Sequence, residues 1–183
     1  MWRKKLLTEI EKQEKAPRKK RYGNSAGTGK NAQDRMKLAL SDAIGWVCTT
    51  EESNASIVDV FALTVEPPYK VALIQVKSMF LEVHGTIAIT KSEISGERGP
   101  IYVFVIETKP KRYTYLVLSY AELKTLALNS KYYENPVKPE RSNYAVYVPR
   151  NFKGSKPCKG AWSKIGTPCK NAWDKIDKNA LPF

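Results

Sequence analysis

SIVDVFALTVEPPYKVALIQVK, residues 56–77, holds two apolar runs joined by the tetrapeptide EPPY. Apolar runs of this length on either side of a proline-containing turn predict two paired β-strands. Asp59, Gln75 and Lys77 interrupt the runs. The last two are expected on one face, roughly 7 Å apart, because side chains two residues apart share a face. A carboxylate in so apolar a strand is unfavourable unless it is paired or binds a metal. We therefore expect these three side chains to form a functional site.

The length and composition of the chain predict a single globular domain with extensions. Its 183 residues can bury one core, and 42% of them are hydrophobic, as in ordinary globular proteins. No apolar run approaches the twenty or so residues that span a bilayer, and no apolar segment follows the basic N-terminus as in a secretory signal. Three scattered cysteines are typical of a reducing cytosol. We expect a cytoplasmic protein, nucleoid-associated or encoded by a virus or mobile element.

The net charge of +13 is concentrated at the two ends of the chain. Residues 1–30 hold ten Lys/Arg and three Asp/Glu, and residues 131–183 hold eleven and four, so each end carries +7. Residues 31–130 hold ten and eleven, and this nearly neutral part is the predicted core domain. Basic ends favour a polyanionic partner, and nucleic acid rather than a membrane, because no strongly amphipathic, aromatic-anchored segment opens the chain. The alternative is that the charge only keeps the protein soluble.

The first thirty residues are predicted to be a basic helix followed by a linker. Residues 2–15 have apolar side chains near helical spacing, a dense basic cluster follows at residues 18–21, and the composition of residues 23–30, GNSAGTGK, indicates a linker. This linker is not a phosphate-binding loop, because Asn24 and Asn31 stand where a Walker motif needs Gly and Ser or Thr. A helix is then predicted over residues 32–44, and Gly45 ends it.

The remainder of the core is predicted to alternate strands with capped helices. Strands are expected at residues 46–50, 100–106 and 113–118. Thr90 with Glu93, and Ser119 with Glu122, have the Ser/Thr-x-x-Glu spacing of a capping box. This pattern predicts short helices that open at Thr90 and Ser119. The run at residues 144–148 is expected to add an edge strand.

An eleven-residue repeat lies in the basic C-terminal extension, residues 131–183. PCKGAWSKI, residues 157–165, recurs as PCKNAWDKI, residues 168–176. Each copy is predicted to form a two-turn helix with proline at its first position. The copies either grip nucleic acid with their lysines or dock onto the core with their tryptophans. A zinc site is not expected, because Cys158 and Cys169 lack the C-x-x-C spacing and His84 is the only histidine.

The order of the predicted elements over about residues 31–118 resembles the PD-(D/E)xK nuclease superfamily. That group includes restriction enzymes, archaeal-type Holliday junction resolvases and some homing endonucleases. Asp59 is similar to the aspartate of the family's Pro-Asp motif, and Gln75-x-Lys77 is similar to its (D/E)-x-K motif. Two departures are Val58 in place of the proline and Gln75 in place of the second acid.

Further positions resemble the resolvase branch of that superfamily. Asp34-Arg35 is similar to the Glu-Arg pair in the first helix of those proteins. Ser53 or Ser56 stands where they often keep a serine before the aspartate. The glutamine at position 75 is, in contrast, closer to divergent homing-type members. In other members the second acid has moved to the following helix, which makes Glu93 a candidate.

The resemblance implies an α/β fold with a restriction-endonuclease-like αβββαβ core, in which helices flank a central mixed sheet. It implies Mg²⁺-dependent endonucleolytic hydrolysis of DNA, with Mn²⁺ as a substitute ion. The implied catalytic residues are Asp59, Gln75 and Lys77, and the implied ligands of one or two ions are Asp59, Gln75 and the Val76 carbonyl, with Asp34 and Glu93 as further candidates. The ion would lower the pKa of a bound water, and Lys77 would stabilise negative charge.

A DNA substrate implies a set of contact residues, basic or hydroxylic, in the arms and the exposed turns. The expected contacts are Arg18, Lys19, Lys20, Arg21, Lys30, Ser53, Ser56, Lys109, Lys111, Arg112, Lys159, Lys164, Lys170 and Lys175. The DNA would be duplex or branched. Enzymes that cut both strands are often dimers, so a homodimer is a further expectation.

Three alternatives remain open from the sequence. Lys77 could be a side chain that extends from a strand end into water, with Asp59 as its partner in a plain ion pair. The chain could be a non-catalytic nucleic-acid-binding protein on a degenerate nuclease fold, for which Gln75 is the supporting feature. It could also be an RNA-binding factor that uses the basic arms and the repeated tryptophans.

Overall fold

The structure, a computed structural model, describes residues 25–50, 58–80, 85–109, 112–148, 160–165 and 170–182. They form a mixed α/β fold in which helices flank a mixed central sheet, as predicted at that level. The described strands are β1 Val47–Thr50, β2 Val60–Leu63, β3 Lys70–Phe80, β4 Thr86–Thr90, β5 Ile101–Lys109, β6 Arg112–Leu118, β7 Lys131–Tyr133, β8 Asn143–Tyr147 and β9 Leu181–Pro182. The described α-helices are α1 Ser25–Ile44, α2 Tyr120–Leu128 and α3 Asp174–Asn179.

The central sheet has the strand order β1-β2-β3-β5-β6, and β9 pairs with the start of β3. Strands β1, β2 and β3 form an antiparallel meander, β5 lies parallel to β3, and β6 returns antiparallel to β5. The strand pair predicted within residues 56–77 is present. Strand β3 continues beyond Lys77 to Phe80, because β5 pairs with it up to that residue.

Strand β5 is buried on both faces, which explains its continuous apolar sequence. One face, the α2 face, packs Tyr102, Phe104 and Ile106 against α2 and a second sheet. The other, the α1 face, packs Ile101, Val103 and Val105 against α1. The main core is therefore two layers of apolar side chains, one on each side of β5.

The second sheet is three-stranded, with the order β4-β8-β7. Its inner side chains, among them Ile87, Ile89 and Val146, are buried in the cluster on the α2 face. The prediction of an edge strand at residues 144–148 was wrong in position, because β8 is the middle strand and pairs on both sides. The sequence analysis missed β7, whose three exposed residues are too few to show a burial pattern.

Helix α1 begins at Ser25, so the end of the predicted linker is helical and the predicted start at residue 32 was wrong. Glycines in this segment lower its helix propensity, but the helix is anchored further along by Ala32, Met36 and Leu40, which are buried on the α1 face. The predicted end is confirmed at Gly45, which has a φ of +70°, the left-handed conformation that glycine adopts after a helix.

Both capping boxes form, but only one opens an α-helix. Ser119 and Glu122 exchange the two hydrogen bonds of a capping box at the start of α2. Thr90 and Glu93 exchange the equivalent bonds, yet the helix there is one 3-10 turn, Ser92–Ile94. Two glycines and a proline follow within six residues and end it. The described residues between β3 and β5 therefore contain β4 and this turn, and no α-helix.

The two copies of the C-terminal repeat have different conformations and pack on opposite faces of the central sheet. Trp162 and Ile165 are buried on the α2 face, whereas Ile176, with Trp173 packed beside it, lies on the α1 face. The predicted pair of two-turn helices was wrong, because the described part of the first copy is a 3-10 turn and α3 begins only at Asp174. Both tryptophans dock onto the core, which was one of the two alternatives.

The predicted helix at residues 2–15 lies outside the described residues, as does the basic cluster at residues 18–21. Within the described part of the chain, no helix combines the length and the apolarity needed to cross a membrane.

Candidate functional site

Asp59 lies immediately before β2, beside the middle of β3. Its N–H donates to the Ile74 carbonyl (2.9 Å). Its carboxylate oxygen Oδ2 accepts hydrogen bonds from Gln75 Nε2 (2.6 Å) and from the Val76 N–H (2.7 Å). The pairing of β2 with β3 therefore brings together three of the residues that the resemblance assigned to a site.

Burial raises the pKa of the Asp59 carboxyl above its ordinary value of 3.8. The Val76 N–H, the charge of Lys77, and hydrogen bonds from Gln33 and Gln75 all lower this pKa, but together they do not offset the loss of solvation. An added positive charge beside such a carboxylate stabilises its ionised form. The ionised form of Asp59 is therefore poorly solvated in the folded chain.

Lys77 pairs with Glu93 and not with Asp59. Its Nζ lies 2.7 Å from Glu93 Oε1, and the two side chains are 28% and 14% exposed. The other carboxylate oxygen of Glu93 accepts hydrogen bonds from the N–H (2.8 Å) and hydroxyl (2.9 Å) of Thr90. The capping box at the end of β4 therefore fixes the carboxylate that holds Lys77 in place.

Tyr102 is a member of this site that the sequence analysis did not identify. It is the β5 residue in register with Gln75, and it is fully buried. Burial raises the pKa of its hydroxyl, and the negative charges of Glu93 and Asp59 raise it further. The hydroxyl has no hydrogen-bond partner among the described residues. It therefore stays protonated and is a donor next to two carboxylates.

Helix α1 contributes Gln33, and not the predicted Asp34. The Gln33 amide lowers the pKa of the Asp59 carboxyl, whereas Asp34 is half exposed and pairs with Lys37 (2.9 Å). The spacing of the buried residues along α1 predicts that Gln33, and not Asp34, faces the core. Gln33 is seven residues, about two turns, before the buried Leu40 and shares its side of the helix. Asp34 points away from that side.

The acidic donors of this site are few. The part of the chain that the structure describes contains no group of three or more His, Cys, Asp or Glu side chains that could hold a metal. Asp59 and Glu93 are the two carboxylates of the site, and both act on the Tyr102 hydroxyl. Mg²⁺ is commonly bound by one or two carboxylates, with water and substrate phosphate completing its shell. Asp34, which pairs with Lys37, does not add a third carboxylate to the site.

The predicted DNA contacts divide into three groups. Arg18, Lys19, Lys20, Arg21, Ser53, Ser56, Lys111 and Lys159 lie outside the described residues. Lys30, Lys109, Arg112 and Lys164 are exposed. Lys175 is instead paired with Glu122, at 2.6 Å and largely buried, and Lys170 forms a β-bridge with Leu116.

Two of the exposed contacts can be placed relative to the site. Lys30 is one helical turn before Gln33 on α1 and so lies on the same side of that helix. Lys109 pairs with Arg112 at the end of the β5–β6 hairpin. Since Phe104 is level with Lys77, this pair is about 17 Å further along the sheet.

A cleft of about 660 Å³ adjoins the polar cluster on the α2 face. Its lining includes Val58, next to Asp59, and Leu73, which precedes Gln75 by two residues and shares its face of β3. Arg98 also lines it. The cleft lies beside the cluster, and Asp59, Gln75, Lys77 and Glu93 are not among its lining residues.

Comparison of the chain with protein families, with curated proteins and with solved structures found no match in any of the three.

Proposed function

We propose that this protein is a Mg²⁺-dependent DNA endonuclease with a restriction-endonuclease-like core, of junction-resolving, homing or restriction type. The observation that carries the proposal is the convergence of Asp59, Gln75, Lys77 and Glu93 at one point on β3. Asp59 is bonded to Gln75 and Lys77 is bonded to Glu93, and in each pair the two residues come from different parts of the fold. Residues that are up to 34 positions apart in the chain are therefore assembled by the fold.

The topology supports the same proposal. A helix precedes three antiparallel strands, and the third of these pairs in parallel with β5; the order of one helix and three strands and the mixed sheet agree with what the resemblance implies. The difference is the connection between β3 and β5, where β4 and a 3-10 turn take the place of the expected helix. That turn still supplies Glu93, the residue that the resemblance named for this connection.

In the proposed reaction, Asp59 and Glu93 would hold the Mg²⁺, and Gln75 would orient Asp59 through their hydrogen bond. When bound, the ion supplies an activated water and charge neutralisation at the phosphate. Lys77, held by Glu93, presents a positive charge beside the scissile phosphate and stabilises the negative charge that develops there. The protonated Tyr102 hydroxyl remains available as a hydrogen-bond donor in the buried part of the site.

A second candidate function is non-catalytic nucleic-acid binding on a degenerate nuclease fold. The specific observation in its favour is that amides take the place of acids beside Asp59: Gln75 donates a hydrogen bond to its carboxylate, and Gln33 lowers its pKa. Carboxylates at these positions would bring two more negative charges to a metal. The candidates differ in whether the site still cleaves DNA.

One cleavage assay separates the two candidates. Supercoiled plasmid, a four-way junction and single-stranded DNA are incubated with the protein in Mg²⁺ or Mn²⁺. We expect cleavage by the wild type, and a loss of at least a hundredfold, about 3 kcal/mol of transition-state stabilisation, in Asp59→Ala and Lys77→Ala. Asp34→Ala is the matched control, because this nearby carboxylate is bonded away from the site, and it should retain activity.

Two outcomes would contradict the proposal. Binding without cleavage of any substrate by the wild type would favour the non-catalytic protein. Cleavage that survives both site substitutions, in variants whose thermal unfolding is unchanged, would show that catalysis occurs elsewhere.

A further inference from the structure

The small sheet β4-β8-β7 has one packed face and one open face. Alternation along the strands and their register assign eight side chains to the open side, here called the outer face. They are Thr86, Ala88, Thr90, Lys131, Tyr133, Asn143, Ala145 and Tyr147. The burial patterns agree, because the alternate residues Ile87, Ile89 and Val146 are buried in the core.

Two tyrosines stand on the outer face with large exposed areas. Tyr147 is 57% exposed and Tyr133 is 47% exposed. The Tyr147 ring lies against Gly85, where an added Cβ would be 3.1 Å from Cε2. Its backbone is fixed by a hydrogen bond from Trp162 Nε1 to the Tyr147 carbonyl (2.6 Å). One side of the Tyr147 ring thus packs against the backbone at Gly85, while the residue as a whole remains accessible to solvent.

The Tyr133 ring carries a positive charge on its surface. Lys131 Nζ lies 4.7 Å from the ring centroid, within the range of a cation–π interaction. Both residues are exposed, so the ammonium group and the ring are presented to solvent together. An anionic group bonded to Lys131 would be held at the edge of the aromatic surface.

The surface between the two tyrosines includes small side chains. Ala145 is at its centre, with Ala88 opposite it on β4. Tyr147 and Tyr133 are separated by four residues along β8 and by one strand, which corresponds to about 14 Å. Small side chains allow a planar group to approach the sheet between the two rings.

The exposed rings and the nearby cations indicate which class of partner the outer face would bind. Exposed aromatic rings on a sheet, with cations beside them, are the elements with which proteins stack the bases of single strands and bind their phosphates. Lys91 and Arg141, both exposed, flank the sheet, and their positive charges together with Lys131 exceed the negative charges of Glu134 and Glu140. Bases in a duplex are stacked on each other and do not offer their faces to such rings.

We propose that the outer face of this sheet binds single-stranded nucleic acid, with Tyr133 and Tyr147 stacking on bases and Lys131 contacting the backbone. The location of this face relates it to the Asp59 site. Thr90 lies in one cross-strand row with Asn143 and Tyr133, and its side chain bonds to Glu93. A single strand on the outer face would therefore end next to the carboxylate that holds Lys77.

The test measures binding by the full chain in EDTA, so that its result does not depend on cleavage. Fluorescence anisotropy is recorded with fifteen-nucleotide oligo-dT, with oligo-rU of equal length and with a DNA duplex. We expect the Tyr133→Ala/Tyr147→Ala variant to lose at least about tenfold in affinity for the single strands, since each stacked base contributes a factor of about 5 or more. Affinity for the duplex should change less than twofold. The dT and rU probes show whether DNA or RNA is preferred.

Two controls separate stacking from folding. Tyr132→Ala changes the adjacent, similarly exposed residue of β7, whose ring faces the other way and packs on Tyr144 (centroids 4.9 Å apart). It should bind single strands like the wild type. Tyr133→Phe/Tyr147→Phe keeps both rings and should bind within about twofold of the wild type. The proposal is overturned if the wild type binds no single strand, if the double alanine variant binds normally, or if Tyr132→Ala weakens binding equally.

Discussion

The ion pair between Glu122 and Lys175 ties the second copy of the repeat to helix α2, and its removal should destabilise the fold. Glu122 Oε1 lies 2.6 Å from Lys175 Nζ, and the side chains are only 15% and 11% exposed. The other carboxylate oxygen accepts a hydrogen bond from the Ser119 N–H (2.8 Å). Glu122→Ala therefore deletes a helix cap and also leaves a largely buried ammonium group without this carboxylate.

The expected decrease in the free energy of unfolding has two contributions. Loss of the cap costs about 1 kcal/mol, and breaking a buried pair by removing one partner costs about 3–5 kcal/mol. Because Lys175 keeps some contact with water, we use the lower end and expect the free energy of unfolding to fall by about 4 kcal/mol. For a chain of this length the corresponding decrease in Tm is roughly 8–16 °C. Lys175→Met should cost less, about 2 kcal/mol, since Glu122 keeps its bond to Ser119.

Urea unfolding of a double-mutant cycle measures the pair directly. The cycle consists of Glu122→Gln, Lys175→Met and the double variant, and the double variant should be within about 1 kcal/mol of the wild type, because a buried ion pair can be replaced by uncharged groups of similar volume. Lys164→Met changes the equivalent, exposed lysine of the first copy and should leave the urea midpoint unchanged. A coupling energy below about 0.5 kcal/mol would refute the reasoning. If Lys175 serves the fold, Lys175→Met should also leave the salt dependence of DNA binding unaltered.

Four further substitutions test other parts of the structure. The folded-state pKa of Asp59 is raised above its ordinary 3.8, so the folded chain holds this proton more tightly than the unfolded chain. The contribution of this carboxyl to stability therefore falls as the pH rises above 3.8. Asp59→Asn should lose this pH dependence in urea unfolding. Gly99→Ala should cost about 1–3 kcal/mol, because the new Cβ would overlap the Tyr120 ring. Gly29→Ala, with open space around it in α1, should instead stabilise by about 0.5–1 kcal/mol in thermal unfolding. Trp162→Ala should lower the free energy of unfolding by about 3–5 kcal/mol, and a loss below about 1 kcal/mol would contradict its docking role.

Sequence patterns were informative where one local cause decides the structure. The Ser119–Glu122 capping box set the start of α2, and Gly45 set the end of α1. The apolar runs on either side of residues 66–69 became β2 and β3. In each of these segments the signal is a short-range rule of hydrogen bonding, backbone conformation or burial, and no distant residue competes with it.

Sequence patterns did not predict the conformation of segments whose structure is determined by packing against distant parts of the chain. The two copies of the repeat have nearly the same sequence, yet Trp162 and Trp173 lie on opposite faces of the central sheet. A local rule cannot distinguish the copies, because the surface that each one meets determines its conformation. The same applies to β8, whose middle position in its sheet depends on pairing with β4 and β7.

The candidate site contains residues that the sequence predicted and residues that it did not. Asp59, Gln75 and Lys77 were identified from their unusual placement in apolar strands, and the structure brings the first two into direct contact. Tyr102 was hidden, because an aromatic residue within an apolar strand has no distinguishing pattern. The period of α1 would have selected Gln33 over Asp34 if the buried stripe had been used to orient that helix.

Gln75→Glu is the substitution that tests most directly whether this site takes up a cation. The Gln75 amide donates to Asp59 Oδ2 at 2.6 Å, so a glutamate would set a second carboxyl against one whose pKa is already raised. Two carboxylates this close do not both ionise without a counter-charge. In EDTA we expect the free energy of unfolding to fall by about 2 kcal/mol, and part of that loss to be regained on acidification.

Added Mg²⁺ should reverse the loss in the Gln75→Glu protein, since a ligand that binds the folded state at a hundred times its Kd stabilises by about 2.7 kcal/mol. The readout is the Tm with and without the ion, independent of cleavage. Gln33→Glu adds the same charge beside the same carboxylate, from helix α1, and is the matched comparison. A response of both variants would show that Asp59 itself recruits the ion. A response of Gln75→Glu alone would place the ion on the β3 side. If Mg²⁺ shifts neither variant more than the wild type, the donors around Asp59 do not form a cation site, and the non-catalytic protein becomes the better description.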